Sequence, residues 1–449
     1  MAKDVSNGET LYAYDTEREL TPASVMKLVT TATALELLGA DFRFPTTLEF
    51  DGVLADSVLK GNLYIKGSGD PSLGSSHFAS NRSTYTPDKN VFIPQWTDAL
   101  KTKGIRRISG SVIADESVFD TEGVSLKWVN EDLGSYYGAG CYGLNVFDNR
   151  FNLYVNTGAP HTKPEIVSSE PQMPSLRFHN YLTAASIRSD SSYTLGAPFS
   201  NDRYLYGIVP ANKSGYMLRG DIPDPALFLA QYLDNQLRME GIKAEGTPTC
   251  YRILAEENKW IPGSRKELIT TYSPTLRDIV RITNERSHNL YADALLKAVG
   301  LGYTPRPGEV ISSSGRGIKA VKTYWRQKGL NTSSLWMFDG NGIALADKVS
   351  TSFLCDLLVY MATKSEQRDA FIASLPKAGL EGSVANFLKG SSLQGRTVLK
   401  SGGVSRVRSY AGYITKGDKR YAVVLIANNF AGTDAGIRKE MEKLLLSLF

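Results

Sequence analysis

The run from Ser24 to Leu38 constrains this fold more than any other stretch, because it is apolar on every side. It is rich in Ala, Leu, Thr and Met, is led in by Thr21-Pro22-Ala23 and is closed by Gly39, so it reads as a helix buried all round. Such a helix needs partners on every face, and the residues that follow do not supply them. From about Arg43 to about Gly263 the chain is β-rich. Short alternating segments such as Val53 to Leu59 and Gly61 to Lys66 recur between Gly, Pro, Asp and Ser turns, with occasional helices (Ile93 to Lys101, Asp224 to Met239). Helical periodicity returns from Ser273, in Thr275 to Ser287, Asn289 to Val299, Gly315 to Gly329 and Thr351 to Lys364. Two strand signals, Arg408 to Ile414 and Arg420 to Asn428, and a helix from Asp434 to Leu448 close the chain. The first helix therefore needs the C-terminal half to bury it. The simplest topology is one domain split by an insertion.

At 449 residues the chain is too long for a single core, so two or three domains are expected. Its 51 basic and 46 acidic residues leave a formal charge of +5, too small and too scattered to point to nucleic acid. No stretch approaches the roughly 20 apolar residues that span a bilayer. Cys141, Cys250 and Cys355 are far apart, so at most one disulfide can form and no zinc or thioredoxin pattern is present. No metal or organic cofactor is expected. The N-terminus carries no signal peptide; Met1 to Val5 reads as the end of a strand, Ser6 to Glu9 as a turn and Thr10 to Tyr14 as the returning strand. The expectation from this opening is that an export signal and part of a first strand precede Met1.

Three short motifs carry chemistry. Ser24-Val25-Met26-Lys27 puts a serine and a lysine one helical turn apart, on one face. Serine needs a base to take its proton, and a lysine buried among apolar neighbours and near another cation can lose its charge and serve. The same serine–lysine spacing occurs at Ser57 to Lys60 and Ser374 to Lys377, but Ser57 is in a strand-like stretch and Ser374 precedes the helix-breaking Leu375-Pro376. Ser287-His288-Asn289 joins two helical runs; Ser287 would relay a proton to a leaving amine and Asn289 would hold a substrate amide, although a helix-capping serine explains the same residues. Lys400-Ser401-Gly402 has a twin at Lys213, but only the second copy precedes the terminal strand and helix. Lys400 would keep Lys27 neutral and attract a carboxylate. Gly402 and Gly403 would let a substrate backbone lie along the strand, and the N–H groups of Ser24 and Gly403 would form an oxyanion hole.

In this order the motifs resemble those of the penicillin-recognising serine acyltransferases, specifically the low-molecular-mass class C penicillin-binding proteins, D-alanyl-D-alanine carboxypeptidase/endopeptidases of peptidase family S13. The likeness runs through Gly67-Ser68-Gly69-Asp70-Pro71, Trp128 to Ala139, the Asn284 to Leu295 helix, Asp339-Gly340-Asn341-Gly342 and Arg408 to Tyr413. It implies a multi-domain α/β fold: a transpeptidase-like domain over residues 1–42 and 265–449, with a five-stranded antiparallel sheet between helices, and a β-rich region over 43–264 holding two nested domains. It also implies an exported enzyme of the periplasm or envelope exterior, with peptidoglycan stem peptides as substrate and β-lactams as covalent inhibitors. Trp128, Glu131, Asp132 and Tyr136 match the family's pocket for the free amino end of the penultimate side chain, an acid beside aromatics suiting an ammonium. A packed Trp and Tyr cluster with surface acids explains the same residues. Two positions depart from the pattern. Gly403 stands where the family has a threonine whose hydroxyl helps hold the terminal carboxylate; Ser405 is the candidate substitute, and endopeptidase action is left more open. Asp339-Gly340-Asn341-Gly342-Ile343 lacks the serines and arginine of the family's equivalent stretch.

Three readings follow. In the first, Ser24 attacks the carbonyl between two D-amino acids, the amine leaves and water deacylates. A β-lactamase-like or esterase hydrolase on the same scaffold is the second, and the sequence offers no dedicated deacylation base for it. The third, an inactive peptidoglycan-binding homologue, has no use for Ser24, Lys27, Ser287, Asn289 and Lys400 together.

Overall fold

The computed structural model describes residues 1–78 and 89–449, which form two compact units. The first comprises Met1–Phe42, Ser125–Trp128 and Thr275–Phe449; the second comprises Arg43–Val124 and Val129–Pro274.

The first unit is built on an antiparallel sheet of five strands, in the order Thr10–Tyr12, Ala2–Asp4, Lys419–Asn428, Val407–Lys416, Thr397–Val404. The N-terminal hairpin read from the sequence is its edge, with Ala2 opposite Tyr12. Thr397–Val404, the other edge, was not legible as a strand, because Ser401-Gly402-Gly403 are poor strand formers and only pairing with Val407–Lys416 holds them extended.

The apolar run forms a helix over Met26–Leu38, ended by Gly39 at φ 85°. Every residue from Met26 to Leu35 is buried. Its partners come from the far end of the chain: the helices Leu276–Arg286, Asn289–Gly300, Ser313–Gln327 and Thr351–Thr363 all touch it. Side-chain hydrogen bonds cross this layer. The indole of the buried Trp325 donates to Thr33 Oγ1, and Asn284 Nδ2 donates to Ser374 Oγ at 2.8 Å. Ser350 caps the helix that follows it, accepting from Phe353 N. A short helix at Arg368–Ala373 escaped the sequence reading, since six residues carry too little period to detect.

The second unit contains a five-stranded mixed sheet, in the order Thr249–Cys250, Val112–Asp115, Leu63–Lys66, Pro45–Phe50, Lys266–Tyr272. Lys266–Tyr272 therefore groups with this unit rather than with the first, because it pairs with Pro45–Phe50. The stretch read as one strand from Val53 to Leu59 is a hairpin that turns at Asp56-Ser57. Two three-stranded sheets follow, Glu165–Glu170 with Arg150–Thr157 and Lys213–Asp221, and Arg177–Asn180 with Asp202–Tyr206 and Tyr193–Leu195. The helix Pro225–Met239 packs into this unit's core, capped by Asp224 Oδ1 on Leu227 N. All three cysteines are buried, and no disulfide joins them. Among the described residues no helix is long and apolar enough to cross a membrane.

Candidate active site

Ser24 sits in a 3-10 turn, Ala23–Val25, that runs straight into the helix beginning at Met26. Ala23 is held at φ 48°, a left-handed conformation unfavourable for a residue with a Cβ, and this bend leaves Ser24 partly exposed among buried neighbours. Gly342, at φ 85°, passes so close that a Cβ there would stand 2.0 Å from Ala23 O. One turn on, Lys27 Nζ reaches Ser24 Oγ at 3.0 Å, as the i,i+3 spacing requires.

Lys27 is fully buried and its Nζ has two further neighbours, Asn289 Oδ1 at 2.6 Å and Asn341 O at 2.7 Å. A neutral amine has two N–H groups and one lone pair. Carbonyl oxygens can only accept, so they take the two hydrogens, and the lone pair is left to Ser24. Burial lowers the Lys27 pKa to about 7, against the opposing charges of Asp339, Asp293 and Asp347. Asp339 opens a stretch noted in the sequence, whereas Asp293 and Asp347 were not singled out there. Asp339 accepts from the backbone N–H groups of Asn341, Gly342 and Ala344, and Asp293 accepts from Gly340 N and Asn341 Nδ2. Asp347 accepts from Phe338 N. Burial, and then the charge of Asp339, push Asp293 up to about 7 and Asp347 well above the ordinary carboxylate range. Asn341, a departure from the family pattern, thus links the base to this cluster: its carbonyl faces Lys27 and its amide faces Asp293.

Ser287 ends the helix Leu276–Arg286 in the left-handed region, at φ 58°. The bend turns its Oγ to Lys400 Nζ, 2.9 Å away. Lys400 is also fully buried and donates to Ser401 O at 2.6 Å. Burial, and then the Lys27 charge, hold its pKa well below the usual lysine range. Burial is the first cause at both lysines, and because the interaction of two charges is reciprocal, a charge on either disfavours one on the other.

The edge strand Thr397–Val404 is half covered. Leu399 N donates to Pro376 O and Ala378 N to Thr397 O, so those residues turn their backbone groups away from Val407–Lys416. By the two-residue alternation of a strand, the backbone groups of Ser401 and Gly403 point outward too, past the end of the covering segment. The Gly403 N–H is thus oriented for the oxyanion role read from sequence. Gly402 acts differently from the expectation that it clears space for substrate. A Cβ there would lie 2.3 Å from Ser409 Oγ and 2.9 Å from Ser24 N, so its absence seats the nucleophile's own turn. Ser409 Oγ in turn donates to Pro22 O at 2.6 Å. Ser401 Oγ contacts Ser383 Oγ at 2.8 Å. Ser405 is exposed, in the turn beyond the strand, where it lines a cavity with Thr21, Lys348 and Asn428.

Trp128 belongs to the first unit and is buried, its indole N–H donating to Asp339 Oδ2 at 2.7 Å. This ties it to the carboxylate cluster. Glu131, Asp132 and Tyr136 belong to the second unit. Glu131 and Asp132 form a 3-10 turn with Asn130, and exposed Tyr136 has the Arg219 guanidinium over its ring at 5.5 Å. The rival motif copies are accounted for: Ser57 is a turn residue, Ser374 Oγ bonds Asn284, and Lys213 opens an exposed strand end.

The model of the D-Ala-D-Ala carboxypeptidase 3 (S13) family matches residues 1–447. The chain is 25% identical over 441 residues to the D-alanyl-D-alanine carboxypeptidase DacB of Haemophilus influenzae, covering 97% of this chain and 86% of that one. Its fold matches the crystal structure of penicillin-binding protein 4 (dacB) from Haemophilus influenzae with a TM-score of 0.83 at 22% identity, over 100% of this chain and 95% of that one. A second structure of that protein, complexed with a β-lactam, matches with a TM-score of 0.77 at 20% identity, over the same shares.

Proposed function

The chain belongs to the D-Ala-D-Ala carboxypeptidase 3 (S13) family, and we propose that it is a serine-type DD-peptidase that cleaves D-alanyl-D-alanine peptides of peptidoglycan through an acyl-enzyme on Ser24. The observation that carries this reading is the Lys27 amine, buried, with carbonyl acceptors for two hydrogens and Ser24 Oγ at 3.0 Å for the lone pair.

In the proposed reaction the peptide lies along the open edge at Ser401 to Gly403, pairing backbone to backbone, with its carboxylate toward Lys400. Lys27 takes the Ser24 proton as Oγ attacks the carbonyl carbon. The developing oxyanion accepts from the N–H groups of Ser24 and Gly403. When the C–N bond breaks, the leaving amine takes the Ser287 hydroxyl proton, and Lys400 Nζ, 2.9 Å from that oxygen, replaces it. The proton held on Lys27 returns to Lys400. Water then enters where the amine left and attacks the acyl carbon as Lys27 takes its proton; Ser24 Oγ takes that proton back as its bond to carbon breaks and the acid is released. Glu131, Asp132 and Tyr136 remain the candidates for the penultimate side chain's amino end. Such a substrate places the enzyme at the envelope, outside the cytoplasmic membrane, and β-lactams acylate the same serine.

Intact mass after incubation with a penicillin, for the protein and for Ser24→Ala, tests this. A stable gain of one penicilloyl group, absent in the variant, is expected. Rapid drug hydrolysis without an adduct favours the β-lactamase-like reading, and neither adduct nor hydrolysis favours the inactive binding homologue.

A further inference from the structure

The small sheet Arg177–Asn180, Asp202–Tyr206, Tyr193–Leu195 has two unlike faces. Alternation sends Phe178, Arg203, Leu205 and Thr194 inward, where Arg203 and Leu205 are fully buried. The other face carries rings. Tyr181, Tyr206 and Tyr193 form one stacked row across the three strands, with centroids 5.1 and 5.6 Å apart. His179 stacks on Tyr204 at 4.5 Å in the next row. Beyond them Asp202 accepts from Arg177 Nε and Nη2 and is 2.8 Å from His179 Nε2. Tyr181 is 57% exposed and Tyr193 47%. Each flanks an edge of the sheet, so the ring face turned away from Tyr206 looks outward.

The makeup of this face selects its ligand. The face offers flat rings beside a fixed ionic group, and Leu195 is the aliphatic side chain that shares it. Pyranose rings offer C–H groups with slight positive charge, which are drawn to the negative face of an aromatic ring, and hydroxyls, which pair with ionic side chains held in place. The Arg177–Asp202–His179 group is such a set, pre-oriented by its own hydrogen bonds. The proposed substrate arrives attached to a sugar polymer.

We propose that the tyrosine face of this sheet binds the glycan strand that carries the stem peptides, with sugar rings stacked on Tyr181 and Tyr193 and their hydroxyls on the Arg177–Asp202–His179 group. The proposal rests on the DD-peptidase reading for the identity of the polymer.

The test is co-sedimentation with peptidoglycan glycan strands that have been stripped of their stem peptides by an amidase and coupled to beads. It compares the full chain carrying Ser24→Ala with the same chain bearing Tyr181→Ala and Tyr193→Ala, or Tyr181→Phe and Tyr193→Phe. The parent and the phenylalanine pair should sediment with the glycan, and the alanine pair should lose at least tenfold in retention. The penicilloyl adduct is measured in parallel with Ser24 intact, and should be unchanged by either pair. No retention of the parent on stripped glycan, or equal retention of the alanine pair, overturns the proposal; so does retention seen only when stem peptides or wall proteins are still attached. Glycan retention without any penicilloyl adduct would sink the peptidase reading while leaving the glycan site standing.

Discussion

Lowering the pH from 8 to 6 should slow acylation of Ser24 by a penicillin about tenfold. The base must be neutral to act, so the rate follows the neutral fraction of Lys27 and rises with pH. With a pKa of about 7, that fraction is about 90% at pH 8, about half at pH 7, about 10% at pH 6 and about 1% at pH 5. An ordinary lysine, at 10.5, would be neutral in only about 0.03% of molecules at pH 7. Burial thus supplies about three orders of magnitude in usable base. The assay is the second-order rate of penicilloyl formation from pH 5 to 9, read by intact mass. Two variants assign the limb. Lys27→Arg cannot deprotonate near neutrality and should show no adduct at any of these pH values. Asp293→Asn removes a negative charge that raises the Lys27 pKa, so the midpoint should move to lower pH. Asp293 itself titrates near the same pH. Disappearance of the limb in Asp293→Asn would therefore assign it to the carboxylate and refute the argument, as would a midpoint above 9 in the parent.

Gly402→Ala should slow acylation by about two orders of magnitude, because the new Cβ would push on Ser24 N and Ser409 Oγ and shift the nucleophile. An unchanged rate would mean the turn can yield. Trp128→Phe should lower stability to urea by about 0.5–1.5 kcal/mol, the range for one net hydrogen bond, since Asp339 Oδ2 keeps the Ala344 N–H, while the penicilloyl adduct still forms. A raised KM for peptide with no loss of stability would return Trp128 to the substrate pocket. Ser287→Gly keeps a residue at ease at φ 58° but removes the hydroxyl. Turnover of a D-alanyl-D-alanine peptide should fall about a hundredfold or more with the thermal midpoint held; full activity would remove Ser287 from the proton path.

Local spacing was legible in the sequence wherever one element decides the outcome. Ser24 and Lys27 meet because a helix brings every third residue to one side; the two other copies lack that helix, Ser57 lying in a stretch that reads as strand-like and folds as a hairpin, and Ser374 being followed by Pro376. The helix over Met26–Leu38, its stop at Gly39, and the last two strands and helix also followed from period and punctuation. The strand carrying Lys400 did not, because its glycines oppose a strand and only its neighbour's ladder holds it.

What the sequence by itself determined is the set of candidate reacting groups and the element that pairs Ser24 with Lys27. The tertiary structure decided the rest of the base's surroundings. Asn289 and Asn341 reach Lys27 from 262 and 314 residues away, and Gly402 makes room for a turn more distant still. No local pattern encodes such meetings, since they depend on which faces of the sheet and helices come together. The same holds for charge: a lysine's pKa is set by how completely the fold excludes water and where it leaves the carboxylates, and Asp293, Asp339 and Asp347 become neighbours of Lys27 only when the chain closes around that helix.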